Sequence, residues 1–247
     1  MFICMGSIIN ALAIVVGGLI GIAVGRFLTE HYQETIIKIV GFGVVMMAIG
    51  STLSQMLVIN VSGSADAYQV TINTQGTIMM IVSLAGGALL GELLNLEKGF
   101  ERFGTFLRDK TGNSKDNQFI DAFLTSSLTV CIGAMAVIGA IEEGINADAS
   151  ILISKAIIDL IIILVMASSM GKGCMFASVP VLIWQGGITL LSKLIAPIMT
   201  DVAVSNLSLV GNVLILCVGV NIIWPKTIRV ANVLPAIIIA VVWALVG

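Results

Sequence analysis

The chain has 247 residues, 58% of them hydrophobic and only 11% charged, with a mean hydropathy of +1.10 and a formal net charge of −2. A soluble domain carries about 25% charged residues, so this composition cannot build a single water-facing surface and reads as one integral membrane domain over residues 1–247. With no basic tail or patch, nothing in it is suited to holding nucleic acid.

A helical span needs about 20 mainly apolar residues to cross hydrocarbon. Eight stretches qualify, in chain order 8–24, 36–57, 77–94, 119–141, 151–170, 174–198, 207–224 and 228–245. The last two are joined by a short "PKTI" link, which leaves a count of seven open. The N-terminal "MFICMGSIIN" lacks a positive n-region and a cleavage site, and is expected to start the first span. The fold expected is all-α, a polytopic helix bundle, because each span must satisfy its own backbone hydrogen bonds and no barrel alternation is present.

Basic residues test the count. Arg26 and Lys38 flank the first connection, and Lys98, Arg102, Arg108, Lys110 and Lys115 fill the third. Lys172 lies in the fifth, and Lys226 and Arg229 in the seventh. Ten of the twelve basic residues thus fall on odd-numbered connections, which the positive-inside rule makes cytoplasmic, with both termini outside. Within the third connection, "FERFGTFLRDK" spaces Phe100, Phe103 and Leu107 along one face, an amphipathic helix suited to the inner membrane surface.

Spans one and three share small-residue faces, Gly17-Gly21-Gly25 and Gly87-Gly91, which let helix backbones approach closely. They suggest either a parallel repeat of helix pairs or two unrelated packing faces, and they offer a route to a homo-oligomer. Asn10 shares the face of Gly17 and so points toward protein.

The polar residues inside the spans concentrate in spans four to six. In "SKAIIDLIII", Lys155 and Asp159 stand one turn apart in an otherwise apolar run. At 1.5 Å per residue they lie about 6 and about 12 Å from the outer entry of the span. Lys155 can snorkel outward, whereas Asp159 cannot, and a charge at that depth costs about 3 kcal/mol on insertion scales. An i,i+4 pair returns only about 0.2–0.5 kcal/mol in water, so a structural pair and a pathway role are both open. Span six places Ser178, Gln185, Thr189 and Ser192 on one stripe, interrupted by Pro180 and Gly186-Gly187. Span four has Thr125 and Thr129 on one face, then Gly133, then the acids Glu142 and Glu143, which with Asp148 form an acidic outer mouth. Span eight adds Asn232 and Pro235, and Asn221 closes span seven.

Cys4, Cys131, Cys174 and Cys217 are scattered singly, without metal or disulfide spacing, and the one histidine, His31, reads as a solvated loop residue. There is no HExxH, GxSxG or Walker motif, so neither an enzyme, a metal nor a cofactor is expected.

Several of these stretches together, "GSIINALAIVVGGLIG", "CIGAMAVIGAIEEG", "SKAIIDLIIILVMASSMGKG", "PVLIWQGGITLL" and "RVANVLPA", resemble the YdfK/YqgA-like family of bacterial inner-membrane proteins, over nearly the whole chain. The resemblance implies a bacterial cytoplasmic-membrane protein of the transport type and brings no substrate. The family's Lys-x-x-x-Asp falls on Lys155 and Asp159, and its Gln-Gly on Gln185 and Gly186. Where relatives have Gly-Pro-Met-Ala, this chain has Gly133-Ala134-Met135-Ala136, so no proline is present to break span four.

The leading expectation is a small-solute secondary transporter or exporter. Asp159 would carry a proton or cation, and Lys155 would hold the carboxylate in the ion-free state. Asn10, Gln185, Ser178, Thr189, Thr129, Gly133 and Gly186 would line the solute site, and Glu142 and Glu143 the outer mouth. A passive channel and a non-transporting scaffold that oligomerises through its glycine faces are the alternatives.

Overall fold

Apolar runs longer than a bilayer is thick have to satisfy their backbones internally, and the computed structural model shows them doing so as helices. It describes residues 4–64, 67–116 and 118–246. In order these form α1 (Met5–Gly25), α2 (Glu30–Met56), a hairpin of β1 (Leu57–Ser64) and β2 (Ala67–Thr74), α3 (Thr77–Leu94), α4 (Leu96–Lys110), α5 (Phe119–Cys131) and α6 (Ala134–Asn146). There follow α7 (Ser150–Met170), a tighter turn over Lys172–Ala177, α8 (Ser178–Leu190), α9 (Ser192–Ile195), α10 (Asp201–Ile223), α11 (Val230–Val233) and α12 (Pro235–Val246).

Among the described residues six helices are long and apolar enough to cross a membrane: α1, α2, α3, α7, α10 and the continuous run Lys172–Leu190. A seventh is the bent pair α5 and α6, taken as one span. The eighth expected stretch is a shorter apolar helix over Val230–Val246, interrupted at Leu234 because Pro235 can neither donate an N–H nor accommodate the turn before it.

Two expected interruptions differ from what forms. Pro180 lies in the first turn of α8, where its missing N–H costs nothing, and the helix runs unbroken through Gly186 and Gly187. Span four, with no proline, does break. Residues Ile132 and Gly133 separate α5 from α6, and the two halves meet at 61°. Gly133 adopts φ 141° and ψ 149°, a conformation that side-chain-bearing residues rarely reach. The hairpin also lay outside the sequence reading. Its strands pair antiparallel from Leu57 with Thr74 through Ile59 with Ile72.

Glycine faces set the packing. A Cβ at Gly17, Gly21 or Gly25 would land on the carbonyls of Leu160, Leu164 and Ser168 respectively, so α1 and α7 touch backbone to backbone and run parallel. Gly87 and Gly91 of α3 meet Ala236 and the Asn232 carbonyl, and Gly41 of α2 meets Ile222 and Ile223 beside Gly219 of α10. Both of these pairs are antiparallel. Spans one and three therefore have different partners in different directions, which is not a repeat of equivalent helix pairs. Their glycines are filled within the chain, so an oligomer would have to use other surfaces.

The two ends of the bundle differ in charge. One gathers Arg26, α4, Lys172, Lys226 and Arg229, tied by Lys226–Asp121 and Arg229–Glu92, each at 3.2 Å. There α4 packs as its spacing predicts. Phe100 joins the main core, Phe103 meets Phe123 edge to face at 6.0 Å, and Phe106 remains exposed. The opposite end holds the hairpin, Glu142, Glu143 and Asp148. Between the ends the core is built on Ile14, Ile163, Met166, Val181, Leu214 and Val218.

Candidate functional site

Helix α7 is 21 residues long and Asp159 is its tenth, so the carboxylate sits at mid-length, with Lys155 one turn nearer the acidic end. The i,i+4 spacing turns both side chains to one face, toward α1 and α5. They are almost fully enclosed, Lys155 being 6% and Asp159 3% exposed. The ammonium does not snorkel outward. Its Nζ pairs with Asp159 Oδ2 and donates to the Val130 carbonyl at 2.8 Å.

That carbonyl is available because span four breaks. In an unbroken helix Val130 would accept from Ala134, but α6 restarts at that residue. Gly133 thus frees a backbone acceptor, and Lys155 takes it. From the other side, Asn10 Nδ2 donates to Asp159 Oδ2 at 2.9 Å and to Gln185 Oε1 at 3.1 Å, both amide side chains being fully buried. Four segments meet here: α1 through Asn10, the α5–α6 break through Val130, α7 through its ion pair, and α8 through Gln185. Removing one partner of such a pair typically costs 3–5 kcal/mol, because the other charge is stranded.

The remaining expected residues divide. Thr189, one turn beyond Gln185, is buried with its hydroxyl unpartnered among the described residues. Gly186 is buried between them, yet a Cβ there would meet nothing within 4 Å. Ser178 opens α8 seven residues before Gln185, about 10 Å away along the helix, and does not join the cluster. Thr129 lies one turn before the break and donates back to the Thr125 carbonyl at 2.7 Å. The acids form no open mouth. Glu143 is turned inward, 4% exposed, and accepts the Gly6 N–H at 2.6 Å, whereas Glu142 accepts from Asn146 at 2.7 Å. Asp148 accepts the Ser150 N–H at 2.9 Å and the Ser150 hydroxyl, and these bonds hold its carboxyl below the usual range. Asn232 and Asn221 bind backbone: Asn232 Oδ1 accepts the Glu97 N–H at 2.7 Å, and Asn221 brackets Ile228 with bonds of 2.6 and 2.9 Å. Sequence reasoning missed the Val130 carbonyl and Ser7. The latter is fully buried three residues before Asn10, a spacing that already placed it on the protein-facing side.

A cavity of about 540 Å³ opens at the basic end, with Glu97, Glu101, Asp121, Lys226 and Arg229 at its walls. Burial pushes the Glu97 carboxyl up, and the neighbouring Glu101 adds to the effect. The cavity reaches Thr125 and Leu128 on α5, and Leu128 is only two residues from Val130.

These features define a class: a multi-pass helical membrane protein whose buried ionic centre is assembled at a break in one span. More particularly, the chain belongs to the DUF554 family, a protein family of unknown function, whose pattern matches residues 5–245. It is 29% identical over 234 residues to the uncharacterized membrane protein YdfK of Bacillus subtilis (strain 168), covering 95% of this chain and 93% of that one. Similarity to the uncharacterized protein YqgA of Escherichia coli (strain K12) is 28% over 240 residues, covering 96% and 94%. No solved structure matches the chain.

Proposed function

We propose that the protein is a small-solute secondary transporter of the bacterial cytoplasmic membrane, not an enzyme. It crosses eight times with both termini outside. The relative directions of α1 with α7, α2 with α10 and α3 with α12 agree with eight alternating crossings, and the gathering of basic residues at one end agrees with a cytoplasmic face there. The observation that carries the transport reading is the enclosed Lys155–Asp159 pair, held at the middle of a span by Asn10 and by a carbonyl released at the span-four break. Intramembrane ionisable groups are expensive, and broken helices with free carbonyls are how transporters build midplane sites.

In this reading the ion pair is the unloaded state. A proton or cation at Asp159 neutralises the carboxylate, releasing Lys155 and the Asn10 amide to rearrange. Gln185, Asn10 and the carbonyls at the break then offer hydrogen bonds to a solute. The cavity at the basic end reaches Leu128, two residues before Val130 in α5, and Glu143 binds Gly6 at the other end, which supports reading this state as inward-facing. The 61° bend at Gly133 is the hinge that exchanges the two openings.

The test is uptake into proteoliposomes, screening cations and amino acids with and without a proton gradient, for the parent and Asp159→Asn. Asparagine retains an acceptor for Asn10 and Lys155 but cannot titrate. Lower stability from the stranded Lys155 cation, with loss of gradient-driven uptake in the protein that inserts, is expected. Should this variant fail to insert, Lys155→Met combined with Asp159→Leu removes the pair without stranding a charge, which is often neutral for folding. An uncharged variant that transports like the parent would make the pair structural, and uptake that needs no gradient would make the protein a channel.

A further inference from the structure

Nine side-chain polar atoms are buried without a partner among the described residues, and five of them form one row: Glu143 Oε2, Ser7 Oγ, Thr189 Oγ1, Gln185 Nε2 and Asn10 Oδ1. Its members sit on segments that hydrogen bonds and close backbone contacts bring together in turn. Glu143, in the last turn of α6, holds the Gly6 N–H through Oε1, and Ser7 is the next residue. Asn10 follows one turn along α1. Gly144, beside Glu143, rests against the Thr189 carbonyl, and Gln185 stands one turn from Thr189 and accepts from Asn10. The far end is Asp159, which accepts from the same Asn10 amide.

Leaving a buried polar group without a partner is costly, so five of them on segments that meet are not what packing alone selects. Folded proteins satisfy such groups with ordered water where the site is polar and has room. Room beside Gln185 and Thr189 is present at buried Gly186, where a Cβ would meet nothing within 4 Å.

We propose that this row is a hydrated proton path from the acidic end to Asp159, with Glu143 as its outer carboxylate; it rests on the reading of Asp159 as the coupling group. A proton entering from the acidic end reaches Glu143 Oε2, the buried oxygen that the Gly6 N–H does not occupy. It moves along water held by Ser7, Thr189 and the two amides to the Asp159 carboxylate. Glu143 returns to its anionic form, Asp159 becomes neutral, and one proton has moved with no other bond made or broken. The charged group facing Asp159 is Lys155 on its own helix; the neutral Asn10 amide of α1 donates to it, Gln185 of α8 stands behind Asn10, and the Cys131 thiol of α5 lies near the pair. Glu143 faces the Gly6 backbone of α1 and the nearby Cys4 thiol, with Glu142 beside it in sequence.

The experiment places single thiols, Ser7→Cys or Thr189→Cys, in full-length chain whose four native cysteines are replaced by alanine. Reaction with silver ion is followed in proteoliposomes, with Ile14→Cys, from the apolar core, as the dry reference. Thiol reactivity follows access to water, and a rate about tenfold above that of Ile14→Cys is expected at both row positions. Rates equal to the reference overturn the path. A second arm uses the native-cysteine chain with Glu143→Gln, which keeps an acceptor for the Gly6 N–H. Proton entry into vesicles loaded with a pH dye should fall about a hundredfold, the low end of what general acid–base groups contribute, and parent-like entry overturns the role of Glu143. Dry thiols with an inactive Asp159→Asn overturn the path and leave the coupling reading standing. Wet thiols with a fully active Asp159→Asn overturn the coupling reading and, with it, the destination of the proton.

Discussion

Gly133 and Gly186 look alike in the sequence, each a glycine inside an apolar span, but the structure asks different things of them. Neither has a neighbour within 4 Å of its Cβ position, so neither needs space. Gly133 has a φ of 141°, where an L side chain is strained at a cost of about 1–3 kcal/mol, whereas Gly186 is ordinary helix. Gly133→Ala is therefore expected to lower stability in detergent by that amount, or to straighten the span and withdraw the Val130 carbonyl from Lys155. Gly186→Ala should be neutral or slightly stabilising, as alanine is the better helix former by about 1 kcal/mol. Paired thermal unfolding measurements check both, and equal effects would contradict the assigned backbone. That Lys155 and Asp159 stand together in an apolar span was legible, and so was the cost of placing charge there. The direction of the Lys155 side chain was not, since snorkelling and inward pairing fit the same residue, and only the freed carbonyl decides between them.

Among whole elements, close approach was legible but the partner was not. A run of glycines four apart announces that another backbone will come near, yet nothing in Gly17-Gly21-Gly25 names α7. Overpacking such a contact costs about 1–3 kcal/mol. Gly21→Ala should fall in that range, because the added methyl meets the Leu164 carbonyl and the Ala167 side chain. Gly43→Ala, on a part of α2 with nothing within 4 Å, should leave stability unchanged or raised. Thermal unfolding in one detergent compares the two, and a tolerated Gly21→Ala would mean the α1–α7 contact is looser than described. The hairpin was readable in principle from the alternation in "LVINVSGSADAYQVTINT", a connection about which the distribution of basic residues says nothing. The break in span four was missed for a related reason. Proline is the familiar breaker, and here glycine conformation does the same work without it.

For the molecule as a whole, hydrocarbon thickness and the positive-inside rule made the helical architecture legible almost without reference to packing. The orientation is tested by reporters. One inserted near Gly112 should read cytoplasmic and one fused at the C-terminus should read outside, and a cytoplasmic reading for both would leave seven crossings. What could not be read was the three-dimensional wiring. Asn10 and Asp159 are 149 residues apart and Asn10 and Gln185 are 175 apart, and no local pattern connects them.

That wiring has a consequence for how the protein is made. The first helix to leave the ribosome carries a polar amide and a bare glycine face whose complement, α7, has yet to be translated. At about 5–20 residues per second the wait for Asp159 is on the order of 10–30 seconds. During that interval α1 must rest in lipid, or beside the insertion machinery, with Asn10 unsatisfied. Nascent chains arrested after Asn146 should therefore expose α1 to crosslinking by an insertase, and chains arrested beyond the exit of α7 should not. The ionic centre would then serve a second purpose in assembly, as the latch that retrieves the first helix once the fifth crossing has been synthesised.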